Sequence, residues 1–151
     1  MSRLAASRPS PAMRQKSRRL VLQALYQWYM AKTSPSVIAA EFIADNDMAK
    51  VDYEYFRELL ERIPQTTSEL DECITSFIDR PLDKLTPIES CILRIGAYEL
   101  LHRVDVPYRV VINEGVELAK TFGAQDGHRY VNGVLDKMAQ KIRLAEVKPK
   151  D

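Results

Sequence analysis

The sequence predicts an all-α fold of about seven short helices joined by brief connections. Three observations carry that prediction. Apolar residues recur at three- and four-residue steps along most of the chain. No window alternates apolar and polar residues between hairpin turns, so no strands are expected. Proline and glycine fall where helices should open or close, as in Ser34-Pro35, Thr86-Pro87 and Phe122-Gly123.

Residues 1–12 hold Pro9 and Pro11 among Ser and Ala and are expected to be a flexible basic arm. The first helix is expected from about Arg14 to Ala31, with Val21, Ala24, Leu25 and Trp28 as its apolar stripe. At about 100° per residue, Arg19, Gln23 and Tyr26 fall on the opposite stripe, with Lys16 beside it. Ser34 caps a second helix that has proline at its first position and runs to about Asp45. Asp52 starts a third on Phe56, Leu59, Leu60 and Ile63, which Pro64 should end or kink. Leu70, Cys73, Ile74 and Phe77 define a fourth, stopped before Pro81.

Thr86-Pro87-Ile88-Glu89 is a capping box opening the fifth helix. That helix is apolar nearly all round up to His102, so it belongs in the middle of a bundle. After Val106-Pro107, the stripe Val111, Ile112, Gly115, Val116, Ala119 and Phe122 makes the sixth helix, closed by Gly123. The seventh runs from about Asp126 to Arg143 on Val131, Val134, Leu135, Met138 and Ile142. The expected organisation is an arm (1–12), one helical domain (13–144) and a frayed polar tail (145–151).

With 151 residues, 46% of them hydrophobic and 28% charged, the chain has the composition of a globular domain. No apolar run approaches the roughly 20 residues that cross a bilayer, so no membrane partner is expected. Cys73 and Cys91 form no CxxC pair and sit on apolar helix faces. They read as small buried hydrophobes in preference to a disulfide, and a cytoplasmic setting follows.

The net charge of +1 conceals an asymmetry. Residues 1–40 hold seven of the 22 basic residues and no acidic one; the remaining 15 face all 21 acidic residues, a balance of −6. An electropositive end on an acidic body suits a polyanion-binding surface. A solvated tail accounts for the same composition. So does a mitochondrial import segment, although Pro9 and Pro11 sit badly in the amphipathic helix it needs.

Catalytic chemistry has no foothold. His102 and His128 lie on different helices without a local partner, the five glycines are isolated, and Glu114 and Glu117 read as a solvated face. No enzyme activity, cofactor or metal is expected.

A longer pattern runs through the last three helices. Residues 92–100 read ILRIGAYEL, residues 105–114 DVPYRVVINE, residues 116–123 VELAKTFG and residues 130–137 YVNGVLDK. With Ala24-Leu25-Tyr26-Gln27-Trp28 and residues 52–60, this run resembles the NusB family of transcription antitermination factors over roughly residues 14–143. Packing accounts for much of it, but Gly133 within a helix costs about 1 kcal/mol relative to alanine, which points to close approach of another helix or of a ligand.

The resemblance implies two three-helix bundles packed against each other and no cofactor. It also implies binding of the boxA element of ribosomal-RNA transcripts together with NusE, a small-subunit ribosomal protein. That complex would join NusA and NusG on RNA polymerase and suppress premature termination. Carried over by position, the RNA contacts are Arg14, Lys16, Arg18 and Arg19, then Tyr26, then Asp126, Arg129 and Tyr130 at the entry to the seventh helix. Arginines would hold phosphates while the two tyrosines stack on unpaired bases. Arg14 and Arg18 line up nearer the apolar stripe and either snorkel over it or precede the helix. Glu89 falls near the family's NusE and RNA surfaces, and its cap position explains it equally well. NusE is expected on the side of the fourth and fifth helices. Two other functions fit a NusB-like chain: a protein-interaction adaptor in ribosome biogenesis with incidental RNA contact, or the RNA-binding domain of an RNA cytosine methyltransferase. No cofactor-binding αβ region follows residue 151, so a free-standing enzyme is not expected.

Overall fold

A computed structural model describes residues 9–149. Among these the chain is all-helical: α1 (Pro11–Ala31), α2 (Pro35–Asp45), α3 (Tyr53–Gln65), α4 (Thr67–Thr75), α5 (Pro87–His102), α6 (Tyr108–Phe122), α7 (Gly127–Ile142) and α8 (Leu144–Val147). Two short 3₁₀ turns, Met48–Lys50 and Leu82–Lys84, lie in the connections. No described helix is long and apolar enough to cross a membrane. The chain divides between Glu61 and Arg62 into two compact units, and the division falls within α3.

In the first unit, α1 begins three residues earlier than its apolar stripe suggests. Ser10 caps it by accepting from the Met13 N–H at 3.1 Å, and Pro11 takes the first turn, where a missing N–H costs nothing. Of the expected arm, residues 1–8 lie outside the described residues. Ser34 caps α2 in the same way, through the Val37 N–H. Asp52 ties α3 to α1. One carboxylate oxygen accepts from the Tyr55 N–H at 3.2 Å and the other from Arg14 Nε at 3.0 Å. The Asp52 carbonyl meanwhile accepts from the Ser17 hydroxyl at 2.8 Å. Val21, Leu22, Leu25, Ile38, Tyr55 and Phe56 fill the interior, with Phe42 and Phe56 stacked at 6.2 Å.

In the second unit, α3 stops one residue beyond Pro64, and the Thr66 and Thr67 hydroxyls donate to carbonyls of its last turn. Helices α5, α6 and α7 pack pairwise into a three-helix bundle, and α4 adds itself to α5. As its composition predicts, α5 is interior: every residue from 90 to 100 is buried. Two of those are Arg94 and Glu99. Arg94 is satisfied by a two-pronged ion pair to Asp71 of α4, at 2.8 and 3.1 Å. Cys91 is buried, and burial pushes its thiol up to about 11, so it is protonated and inert at neutral pH. Cys73 is half-buried, and both cysteines are free.

Leu135 of α7 sets how closely the three helices approach. A Cβ on Gly96 of α5 would lie 2.4 Å from Leu135 Cδ2, and one on Gly115 of α6 would lie 2.5 Å from Leu135 Cδ1. Gly115→Ala is therefore expected to overpack the bundle and cost about 1–3 kcal/mol in urea unfolding, with Leu135→Ala in the same chain recovering part of the loss. Of the two explanations for Gly133, the structure removes close approach of another helix and leaves that of a ligand. It is exposed, and a Cβ there would meet nothing within 4 Å, so no neighbouring helix explains it.

The expected frayed tail also differs, because residues 144–147 form the helical turn α8. Glu146 accepts from the Tyr108 N–H at 3.0 Å and pairs with Arg143 at 2.7 Å. The Tyr108 bond, helped by Arg143, holds the Glu146 carboxyl below its ordinary value. A lowered folded-state pKa stabilises above the unfolded value and loses that contribution as pH falls through the folded one. Acid should thus release α8, and Glu146→Gln should flatten that part of the pH profile, read as amide exchange at Tyr108.

Candidate nucleic-acid interface

The outer face of α1 carries a row that the helical period builds. Lys16, Arg19, Gln23, Tyr26 and Met30 are exposed, while Val21, Leu22, Ala24 and Leu25 between them are buried. The predicted stripe of cation, amide and aromatic is therefore present, with Tyr26 38% exposed. Lys16 and Arg19 make no ion pair among the described residues. Both line an open cleft of about 320 Å³, together with Leu20, Gln23, Asn46, Asp47 and Val51.

Arg14 and Arg18 point elsewhere. Arg18 is only 3% exposed, with its guanidinium 5.5 Å from the Tyr55 ring centre. Arg14 is 28% exposed, paired with Asp52 and 4.1 Å from the centre of the same ring. Both arginines fall within α1, so of the two placements open to them they snorkel over the apolar stripe and do not precede the helix. They lie on the inward side of α1, where cation–π contact and the Asp52 carboxylate offset the cost of drawing charge from water.

In the second unit, Asp126 takes a left-handed backbone (φ 67°), which short polar side chains tolerate, and opens α7. Its carboxylate is 3.9 Å from Arg129 Nε, a loose pair in which Arg129 stays 79% exposed. Tyr130 is half-buried. Its hydroxyl donates to Asp79 at 3.2 Å, and the Arg80 guanidinium lies 4.7 Å from its ring centre. Burial and the Asp79 carboxylate raise the Tyr130 phenol above its ordinary value. The hydrogen bond from Arg80 holds Asp79 below its own.

Sequence periodicity missed Asp79 and Arg80 because they sit in the non-helical connection between α4 and α5. Asp79-Arg80-Pro81, a charged pair ahead of a proline, was the available signal. Glu89 has a position that serves both explanations. Its N–H donates to Thr86 Oγ1 at 3.1 Å, completing that half of the cap. Its carboxylate lies 2.8 Å from where a Cβ on Gly127 would stand, close to the electropositive N-terminus of α7. Among the described residues no group of three His, Cys, Asp or Glu side chains could hold a metal.

Exposed cations, an amide and a tyrosine share the outer face of α1 in an all-helical chain, and that face is its candidate binding surface. Comparison with known proteins makes the assignment specific. Residues 15–140 match the model of the NusB family. The chain is 51% identical to the transcription antitermination protein NusB of Marinobacter nauticus over 142 residues, covering 94% of this chain and 90% of that one. It is 54% identical to the protein of the same name from Pseudomonas fluorescens over 144 residues, 95% and 87% of the two chains. Among solved structures, NusB of T. maritima superposes with a TM-score of 0.76 at 26% identity, over 89% of this chain and 94% of that one. A chain from the crystal structure of a plectonemic RNA supercoil shares the fold, with a TM-score of 0.75 at 24% identity, over 90% and 97%. The chain belongs to the NusB family of transcription antitermination factors.

Proposed function

We propose that this chain binds the boxA element of nascent ribosomal-RNA transcripts together with NusE, and with it joins NusA and NusG on RNA polymerase in the cytoplasm. It acts by recognition and scaffolding, without covalent chemistry. The observation that carries this reading is the exposed row Lys16, Arg19, Gln23 and Tyr26 on α1.

A flexible strand meets such a row in a defined way. Lys16 and Arg19 neutralise phosphates and release counterions, which fixes position without reading sequence. Tyr26 offers a ring to an unstacked base. Arg14 and Arg18 hold α1 to α3 and leave the strand to their exposed neighbours. In the second unit, Asp126, Arg129 and Tyr130 supply a further polar and aromatic set. There the exposed Arg129 takes a phosphate, and a base reaches Tyr130 by replacing the Arg80 guanidinium. NusE docks on the α4 and α5 side.

Titration of boxA RNA and a scrambled control, with and without NusE at two salt concentrations, tests the reading. Selective binding to boxA, tightened by NusE, is expected. Equal, salt-sensitive binding to both RNAs means a non-specific basic surface. A folded chain that binds NusE and no RNA would make it a protein adaptor instead.

A further inference from the structure

The cleft beside α1 has a lining more specific than phosphate binding requires. Lys16 and Arg19 supply positive charge, and Leu20 and Val51 supply apolar surface. The polar groups contributed by Gln23, Asn46 and Asp47 have a definite hydrogen-bonding sense. Gln23 Nε2 donates to the Arg19 carbonyl at 3.1 Å, and Asn46 Nδ2 donates to the Phe42 carbonyl at 3.0 Å. Because a carbonyl oxygen only accepts, each bond fixes which amide atom is nitrogen and leaves the amide oxygen to accept. Asp47 accepts from the Ala49 N–H through one carboxylate oxygen, at 3.0 Å, and its other oxygen is a further acceptor. The cleft thus combines two cations, apolar surface and three side chains with accepting oxygens. At about 320 Å³ it lies at the small end of the range for small-molecule sites.

We propose that this cleft is a nucleotide subsite for one unpaired RNA nucleotide whose base carries an exocyclic amino group. The phosphate rests against Lys16 and Arg19. The base lies over Leu20 and Val51 and donates its amine to the oxygens of Gln23, Asn46 or Asp47. Adenine, cytosine and guanine each have such an amine. Uracil presents carbonyl oxygens at those edges, which would face acceptors, and is disfavoured. The inference deepens the RNA-binding reading and rests on it, since it assigns base selectivity to residues of the connection between α2 and α3.

The test follows AMP, CMP, GMP, UMP and inorganic phosphate titrated into the full chain by NMR, alongside boxA RNA. The expected result is that the Gln23 and Asn46 side-chain amide resonances move with AMP, CMP and GMP, which bind about fivefold or more tightly than UMP, the low end of one base-edge pair. Asn46→Ala and Asp47→Asn, each verified as folded by circular dichroism, should each narrow that ratio. Asp47→Asn keeps an accepting oxygen but adds a donor, so UMP should gain relative to the others. Equal binding of all four nucleotides and phosphate would overturn the inference and leave an anion site. So would binding of an acidic peptide but no nucleotide, which would identify a protein occupant. If boxA still binds selectively through Tyr26 while both cleft variants behave as the parent, the inference fails and the RNA reading stands. If neither boxA nor any nucleotide binds, both fail.

Discussion

Arg143→Ala is expected to destabilise the chain by about 3 kcal/mol or more, seen as a melting temperature lower by roughly 10 °C. Arg143 is 7% exposed at the end of α7, and its guanidinium closes the end of α5. Nε donates to the Leu100 carbonyl at 3.0 Å, and Nη2 donates to those of Glu99 and Arg103 at 3.1 and 3.0 Å. Nη1 reaches the Val106 carbonyl at 2.9 Å and Glu146 at 2.7 Å. The last carbonyls of a helix have no partner within it, and here the Arg143 side chain supplies that of Leu100 and joins the Arg103 N–H on that of Glu99. Alanine would take that donor from the Leu100 and Val106 carbonyls, leave those of Glu99 and Arg103 with only the Arg103 and Val106 N–H groups, and leave Glu146 without its cation. Arg143→Lys would keep the charge and lose the fork, so it should recover only a minor part.

The second large effect falls on RNA. Removing Lys16, Arg19 and Tyr26 together by alanine should weaken boxA binding about a hundredfold with little change in melting temperature, because all three are exposed. Stacking on Tyr26 is worth about 1–3 kcal/mol, or roughly fivefold to 150-fold alone. Two lost phosphate contacts should also reduce the slope of log affinity against log salt by about 1.4. Arg18→Ala should do the reverse, lowering stability while leaving the salt slope near the parent value, since its charge is spent inside the unit.

Apolar periodicity foretold the helices because packing is what the period records. Each of α2 to α7 lies close to where its stripe fell, and α5 is buried as its missing polar side required. The start of α1 was placed too late, at Arg14, although Ser10-Pro11 repeats the cap-and-proline signature of Ser34-Pro35 and Thr86-Pro87, and all three cap their helices through the side chain. The exposed stripe of α1 followed from the same angular arithmetic.

What was not legible is how polar side chains are used across elements. Arg143 looks like a C-terminal cation, Arg94 interrupts an apolar helix, and Arg14 and Arg18 look like members of a basic surface. Each finds its partner 23 to 44 residues away, or on a neighbouring ring, at a distance that no local pattern encodes. The contribution of Asn46 and Asp47 to the cleft, and of Asp79 and Arg80 to the surroundings of Tyr130, is hidden for the same reason. These residues lie in connections without a period, and only the fold brings them to the helices they serve.

The central claim is that RNA runs along the outer face of α1. The most direct measurement is ultraviolet crosslinking of boxA RNA to the full chain in the presence of NusE, with the crosslinked peptides identified by mass spectrometry. Crosslinks at Tyr26 are expected, and they vanish when scrambled RNA replaces boxA. Crosslinks that leave α1 untouched, in a chain that still binds boxA selectively, would contradict it.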